Sequence, residues 1–163
     1  MVSDVVSNVL FSSNDQGLET PQWLFDLLDA EYKFTLDVCA TKKTAKCWNY
    51  YTPADNGLRR RWEGSVWCNP PYGRDIGLWT ARAVHQIHYK RLQRAVFLLP
   101  VRTDTRWWHD TVMHGAKVLR FIDGRLRFVG TKGSAPFPSV IVVYSHGLYP
   151  LHIGPSISAR GRH

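Results

Sequence analysis

Several things are missing from this sequence. No apolar run approaches the ~18 residues a membrane-spanning helix needs, so no membrane association is expected. The opening stretch, MVSDVVSNVLFSSND, has an early acidic residue and no basic cluster, which reads against a secretory leader. Cysteine is scarce and odd in number: Cys39, Cys47 and Cys68 lie in apolar or aromatic surroundings at no zinc spacing. Buried, reduced thiols in a cytoplasmic protein are the simplest reading. His85 and His88 have no carboxylate or cysteine beside them at ligand spacing, so no metal is expected. Acidic residues are also few, 13 against 21 Lys and Arg, giving a net charge of +8 and a pI near 9.7.

The charge excess points to a polyanionic partner, most often nucleic acid. The chain has 163 residues, 44% of them apolar and 13% aromatic, enough for one domain with a real core and little room for a second. A single domain over 1–163 is expected, with its core at 19–144 and peripheral segments at 1–18 and 145–163.

Hydrophobic periodicity places the elements. ETPQWLFDLLDAEY reads as an amphipathic helix with Thr20 as N-cap and Pro21 at the first helical position. KFTLDVCA reads as a buried strand, and a short helix is expected near Thr44 to Tyr50. SVWC is a short strand, and IGLWTARAVHQIHY has helical spacing. RAVFLLPV is an apolar strand, followed by a short helix over TDTRWWHDTVMH capped by Thr103 or Asp104. AKVLRF, GRLRFV and PSVIVVY read as three more strands. Strands alternating with helices imply βα units around a mostly parallel sheet, and the closing strands an antiparallel edge. Ligands in such folds sit at the carboxyl ends of strands, where Asp37 and Asn69 both fall.

One strand stops on an unusual turn, VWCNPPYG, residues 66–73. The amine of adenine is conjugated with its ring and is a poor nucleophile. Two acceptors on its N–H groups bring the nitrogen lone pair out of conjugation. The side-chain oxygen of Asn69 supplies one acceptor. The carbonyl of Pro70 supplies the other, its direction fixed because Pro70 and Pro71 both have locked φ. The ring of Tyr72 offers a surface on which an extruded base stacks, worth about 1–3 kcal/mol. The plain alternative is that the two prolines merely end a strand. An NPPY match arises by chance in roughly one chain in a thousand.

Taken together, TPQWLFDLLDAEYKFTLDVCA, VWCNPPYG, FLLPVRTDTRWWHD, GRLRF and SAPFPSVIVVY resemble the phage-type DNA N-6-adenine methyltransferase family, in family order over about 19–144. The resemblance implies a reduced Rossmann-like methyltransferase fold, S-adenosylmethionine as methyl donor and adenine in double-stranded DNA as acceptor, in the cytoplasm of the host cell. By position, Asn69, Pro70, Pro71 and Tyr72 resemble the catalytic motif. Asp37 and Ala40, in LDVCA, resemble the start of the cofactor motif, and Thr20 and Pro21 an upstream cofactor-contacting motif. One departure is plain: CATKKTAK stands where many methyltransferases carry a glycine loop. Asp55 is a further cofactor candidate or else a turn residue.

For DNA, Arg59, Arg60 and Arg61 are candidate phosphate contacts, and Arg102, Thr103 and Asp104 candidate substrate contacts after a strand end. Phe137 is either a wedge against DNA or a core residue. Two other readings stand beside this one: the same chemistry on RNA adenine or a protein amide, and a DNA-binding module without catalysis.

Overall fold

The computed structural model describes residues 18–147 and 150–160; the expected lead-in therefore lies almost wholly outside the described residues. Helix α1 (Gln22–Tyr32) ends at Lys33, whose left-handed φ of 52° turns its N–H back onto the carbonyl of Asp29. Strands β1 (Leu36–Asp37) and β2 (Gly64–Cys68) follow, separated by a long turn-rich segment that includes a 3₁₀ turn at Gly57–Arg59. Helix α2 (Ile76–Ile87) and the long strand β3 (Leu92–Pro100) come next. A π-helical segment (Trp108–Met113) leads to β4 (Val118–Asp123), β5 (Ser139–Ser145), and two short strands, β6 (His152–Ile153) and β7 (Ile157–Ser158).

The strands form one sheet in the order β1-β2-β3-β5-β4-β6, with β7 also on β4. β1, β2 and β3 are parallel, in register Leu36↔Val66 and Val66↔Ala95. β5 is antiparallel to both β3 and β4, while β6 and β7 run parallel to β4. The sheet is thus mostly parallel, as expected, but its antiparallel strand is internal and not at an edge. The reason is apolarity: six of the seven residues of β5 are buried, and such a strand is stable only with neighbours on both sides.

Period-two alternation sends β3 and β5 into two cores. Ala95, Phe97, Leu99, Val140, Val142 and Tyr144 face α2 and the π-helical segment, packing on Ile76, Trp79, Trp108 and Val112. Val96, Leu98, Ile141 and Val143 face α1, packing on Leu24, Phe25 and Leu28. Each large side chain so buried contributes about 1.5–3 kcal/mol, which makes the central sheet a rigid floor for whatever its ends carry.

Three other expectations change. No helix forms at 44–50; that segment turns and lies along β1 through an isolated Asp37↔Tyr50 bridge. GRLRFV keeps its alternation, with Leu126 and Phe128 buried between exposed arginines, yet among the described residues it joins the sheet by no ladder and makes a single isolated bridge, Glu19↔Val129. In the C-terminal segment, β6 and β7 tie the described residues 150–160 to β4, and Ile157 and Ala159 are buried. Among the described residues no helix is long and apolar enough to cross a membrane.

Candidate active site at the carboxyl ends of the parallel strands

β1, β2 and β3 point the same way, so Asp37, Asn69 and the residues after Pro100 meet at one end of the sheet. There the chain opens into a cleft of about 1080 Å³, whose lining includes Thr20, Asp37, Ala40, Asn69, Pro71, Tyr72 and Arg102. Residues from four separate stretches of sequence share this one space.

Asn69 is held by its amide nitrogen. Nδ2 donates to the carbonyl of Leu18 and to Oγ1 of Thr20 at 3.1 Å. A backbone carbonyl can only accept, so the nitrogen must face Leu18 and the oxygen must face the other way. That oxygen, Oδ1, is buried and has no hydrogen-bond partner among the described residues. An orphaned buried acceptor costs about 1–3 kcal/mol, so it marks a place where a donor belongs. Thr20 is not the N-cap of α1: Pro21 holds that position with no side-chain cap, and Thr20 is itself buried. Its hydroxyl is committed to Asn69 instead.

Tyr72 is fixed at both ends. Its hydroxyl donates to the carbonyl of Leu98 at 2.9 Å, in the floor of the sheet, and burial pushes its pKa well up. Its ring meets Phe137 and Phe128 edge-on, with centroids 5.6 and 6.1 Å apart. Phe137 is therefore a buried packing residue of the cleft wall and not a projecting wedge. Above it lies Arg102, whose guanidinium carbon is 5.7 Å from the ring centroid. Pro70 is buried and Pro71 exposed at the cleft.

Asp37 is almost fully buried at the end of β1. Desolvation raises its pKa from 3.8 to about 6, against two backbone N–H donors that pull it down: Cys39 to Oδ1 and Lys46 to Oδ2, each at 3.2 Å. CATKKTAK thus wraps back on the carboxylate without any glycine. The glycine this wall does need is Gly57, where an added Cβ would sit 2.1 Å from the carbonyl of Val38. Ala40 is buried, its N–H donating to the carbonyl of Tyr51.

Other candidates fall elsewhere. Asp55 is half-buried outside the cleft lining, and its carboxylate accepts from the N–H and hydroxyl of Thr52 at 2.8 Å, which closes a turn and lowers its pKa. Arg59, Arg60 and Arg61 do not line the cleft. Arg60 turns back on the carbonyl of Asp55, and Arg61 pairs with Glu63 just before β2, at the amino end of the sheet. Thr103 and Asp104 are exposed outside the lining, with Thr105 taking their place. Pro21 is buried at the start of α1.

Residues that the sequence did not single out also line the cleft: Glu19, Lys46, Arg74 and Trp107. Arg74 follows NPPYG directly, so proximity to the motif was its available signal. Trp107 is seated by Gly77, where a Cβ would lie 2.8 Å from it. Lys46 is one of three lysines in CATKKTAK, and nothing local in the sequence distinguishes it.

Comparison with known proteins follows the same lines. The family model for DNA N-6-adenine-methyltransferase (Dam) matches residues 6–143. A "DNA N-6-adenine-methyltransferase" of Haemophilus phage HP1 is 31% identical over 118 residues, which cover 69% of this chain and 66% of the relative. A protein of the same name from Escherichia phage T1 is 28% identical over 103 residues, 61% of this chain and 42% of the relative. The matches thus span less than two thirds of either relative's length.

Proposed function

The chain belongs to the DNA N-6-adenine-methyltransferase (Dam) family, and on that premise we propose that it methylates the N6 amine of adenine in DNA, with S-adenosylmethionine as donor. The mostly parallel sheet, with one antiparallel strand next to its last long strand, supports a reduced Rossmann-like methyltransferase fold. The single observation that carries the reading is Asn69: a buried amide oxygen on a cleft-lining residue, without a partner among the described residues and aimed by the bonds its nitrogen makes.

The cleft fits both reactants. Asp37 presents a buried carboxylate suited to a cationic donor, and Asn69 an acceptor suited to an amine. When bound, the donor supplies a methyl group on a sulfonium, already a good leaving group. The protein therefore needs no strong base and must chiefly align the two reactants, which is worth several kcal/mol of barrier. Asn69 Oδ1 accepts one amine hydrogen and stabilises the positive charge developing on nitrogen. The Pro70 carbonyl is proposed as the second acceptor. Tyr72, its ring fixed by Phe137 and Leu98, is the platform for an adenine taken out of the duplex.

DNA approaches from the cleft mouth, so Arg74 and Arg102 are better placed for phosphates than Arg61 at the opposite end of the sheet. Both relatives are phage proteins, which supports a proposed site of action in the cytoplasm of a host cell. Transfer of labelled methyl from S-adenosylmethionine to unmethylated DNA, followed by nucleoside analysis, tests the reading. N6-methyladenine is the expected product. Label on RNA or protein alone would move the same chemistry to another acceptor, and no label on any of them would leave a binding module.

A further inference from the structure

Lys46 is a loop lysine whose side chain is only 7% exposed. Its Nζ stands 3.4 Å from Oε1 of Glu19 and 3.1 Å from Oε1 of Gln22. Both Glu19 and Lys46 line the active-site cleft. The pair is also wired to the groups already described. The backbone N–H of Lys46 holds Asp37, and Thr20, the residue after Glu19, holds Asn69.

The pair is half-buried, with Lys46 sunk and the Glu19 side chain 22% exposed, and an ion pair drawn out of water gains little over an apolar pair of the same volume. Its place on a cleft wall therefore calls for a ligand. An ammonium has three donors, and two point to Glu19 and Gln22, leaving one, among the described residues, for a bound group. A lone anion would be attracted by Lys46 and repelled by Glu19, and a lone cation the reverse. A zwitterion carrying both charges a carbon apart satisfies the pair. We infer that Glu19 and Lys46 form the subsite for an α-amino acid group, with Lys46 on its carboxylate and Glu19 on its ammonium. This rests on the methyl-donor reading above and deepens it: the amino acid end of S-adenosylmethionine is the occupant. It also gives CATKKTAK a role where a glycine loop is missing. The alternative anchor, the N-terminus of α1, does not serve, because Pro21 and Gln22 do not line the cleft.

Calorimetric titration of the full chain separates the possibilities, using S-adenosylhomocysteine, its decarboxylated analogue, and 5′-methylthioadenosine, which lacks the whole amino acid. The wild type should prefer S-adenosylhomocysteine to the decarboxylated analogue by about tenfold, the size of one charge-assisted bond. Lys46→Gln should lose that preference and bind 5′-methylthioadenosine as before, while Lys46→Arg should keep it. A wild type without the preference overturns the proposal with no variant needed, and so does a Lys46→Gln variant that retains it. Equal weakening of all three ligands in Lys46→Gln also overturns it, since the lysine would then act only by holding Asp37. A wild type that binds none of the three fails the methyl-donor reading itself, and the subsite falls with it.

Discussion

The amide of Asn69 donates to the hydroxyl of Thr20 at 3.1 Å, joining two residues 49 positions apart. The contact ties the segment before α1 to the end of β2, and it helps hold the Asn69 amide in the orientation that the Leu18 carbonyl, which can only accept, dictates. Thr20→Val keeps the shape and removes the acceptor. Its expected cost is about 1 kcal/mol of stability, with a clear fall in methyl transfer and little change in binding of S-adenosylhomocysteine. Paired melting and calorimetry measure this. A rate equal to wild type would remove Thr20 from positioning.

Tyr72 shows how the structure changes a forecast. From the sequence only its ring mattered, so Tyr72→Phe would be almost silent. In the fold its hydroxyl is anchored on the carbonyl of Leu98. Tyr72→Phe should therefore cost about 0.5–1.5 kcal/mol of stability and weaken duplex methylation modestly. Tyr72→Ala should impair it severely. Thermal melts that superimpose for wild type and Tyr72→Phe would show that the anchor contributes nothing.

Asp37 gives a pH dependence with a definite sign. Its carboxyl titrates in the fold at about 6, up from 3.8, because burial disfavours the charge. Ionisation therefore works against the free fold, which loses stability as pH rises from 3.8 to about 6. A cationic donor prefers the ionised form, so its affinity should be level above about pH 6. Below that it should fall by up to tenfold per pH unit. Titrations at pH 5 and pH 7.5 are sufficient, and equal affinities at both would take Asp37 out of the cofactor site.

The cleft mouth and the amino end of the sheet make opposite forecasts for DNA. Arg74 lines the cleft, whereas Arg61 pairs with Glu63 before β2. Arg74→Gln should weaken binding to any sequence and reduce the slope of log affinity against log salt by about one. Arg61→Gln should leave that slope unchanged. The reverse result would turn the DNA to the other side of the molecule.

These forecasts also show which features were legible in the sequence. β3 and β5 could be read directly, because long apolar and β-branched runs have few other places to go. That Asp37 and the Asn69–Tyr72 turn reach the cleft was legible because strand ends and paired prolines are local signals. The internal position of β5 was not local, since strand order depends on which neighbours cover it. Thr20 had the spacing of a cap, but a tertiary partner took its hydroxyl. GRLRFV had true strand alternation, yet its backbone pairs elsewhere: the N–H of Ala135 bonds to Leu126 and that of Val129 to Glu19. Lys46 acquires its meaning only through Glu19, 27 residues away.

The central claim is that the orphaned oxygen of Asn69 receives the adenine amine. Single-turnover transfer of labelled methyl from S-adenosylmethionine to unmethylated duplex DNA tests it directly, comparing wild type with Asn69→Ala. The variant must be shown to be folded and to bind S-adenosylhomocysteine. The account predicts N6-methyladenine from the wild type and a loss of about a hundredfold or more in Asn69→Ala, the scale of removing one transition-state hydrogen-bonding group. Near-normal methylation by the folded variant would contradict it, and the two prolines would then do no more than end a strand.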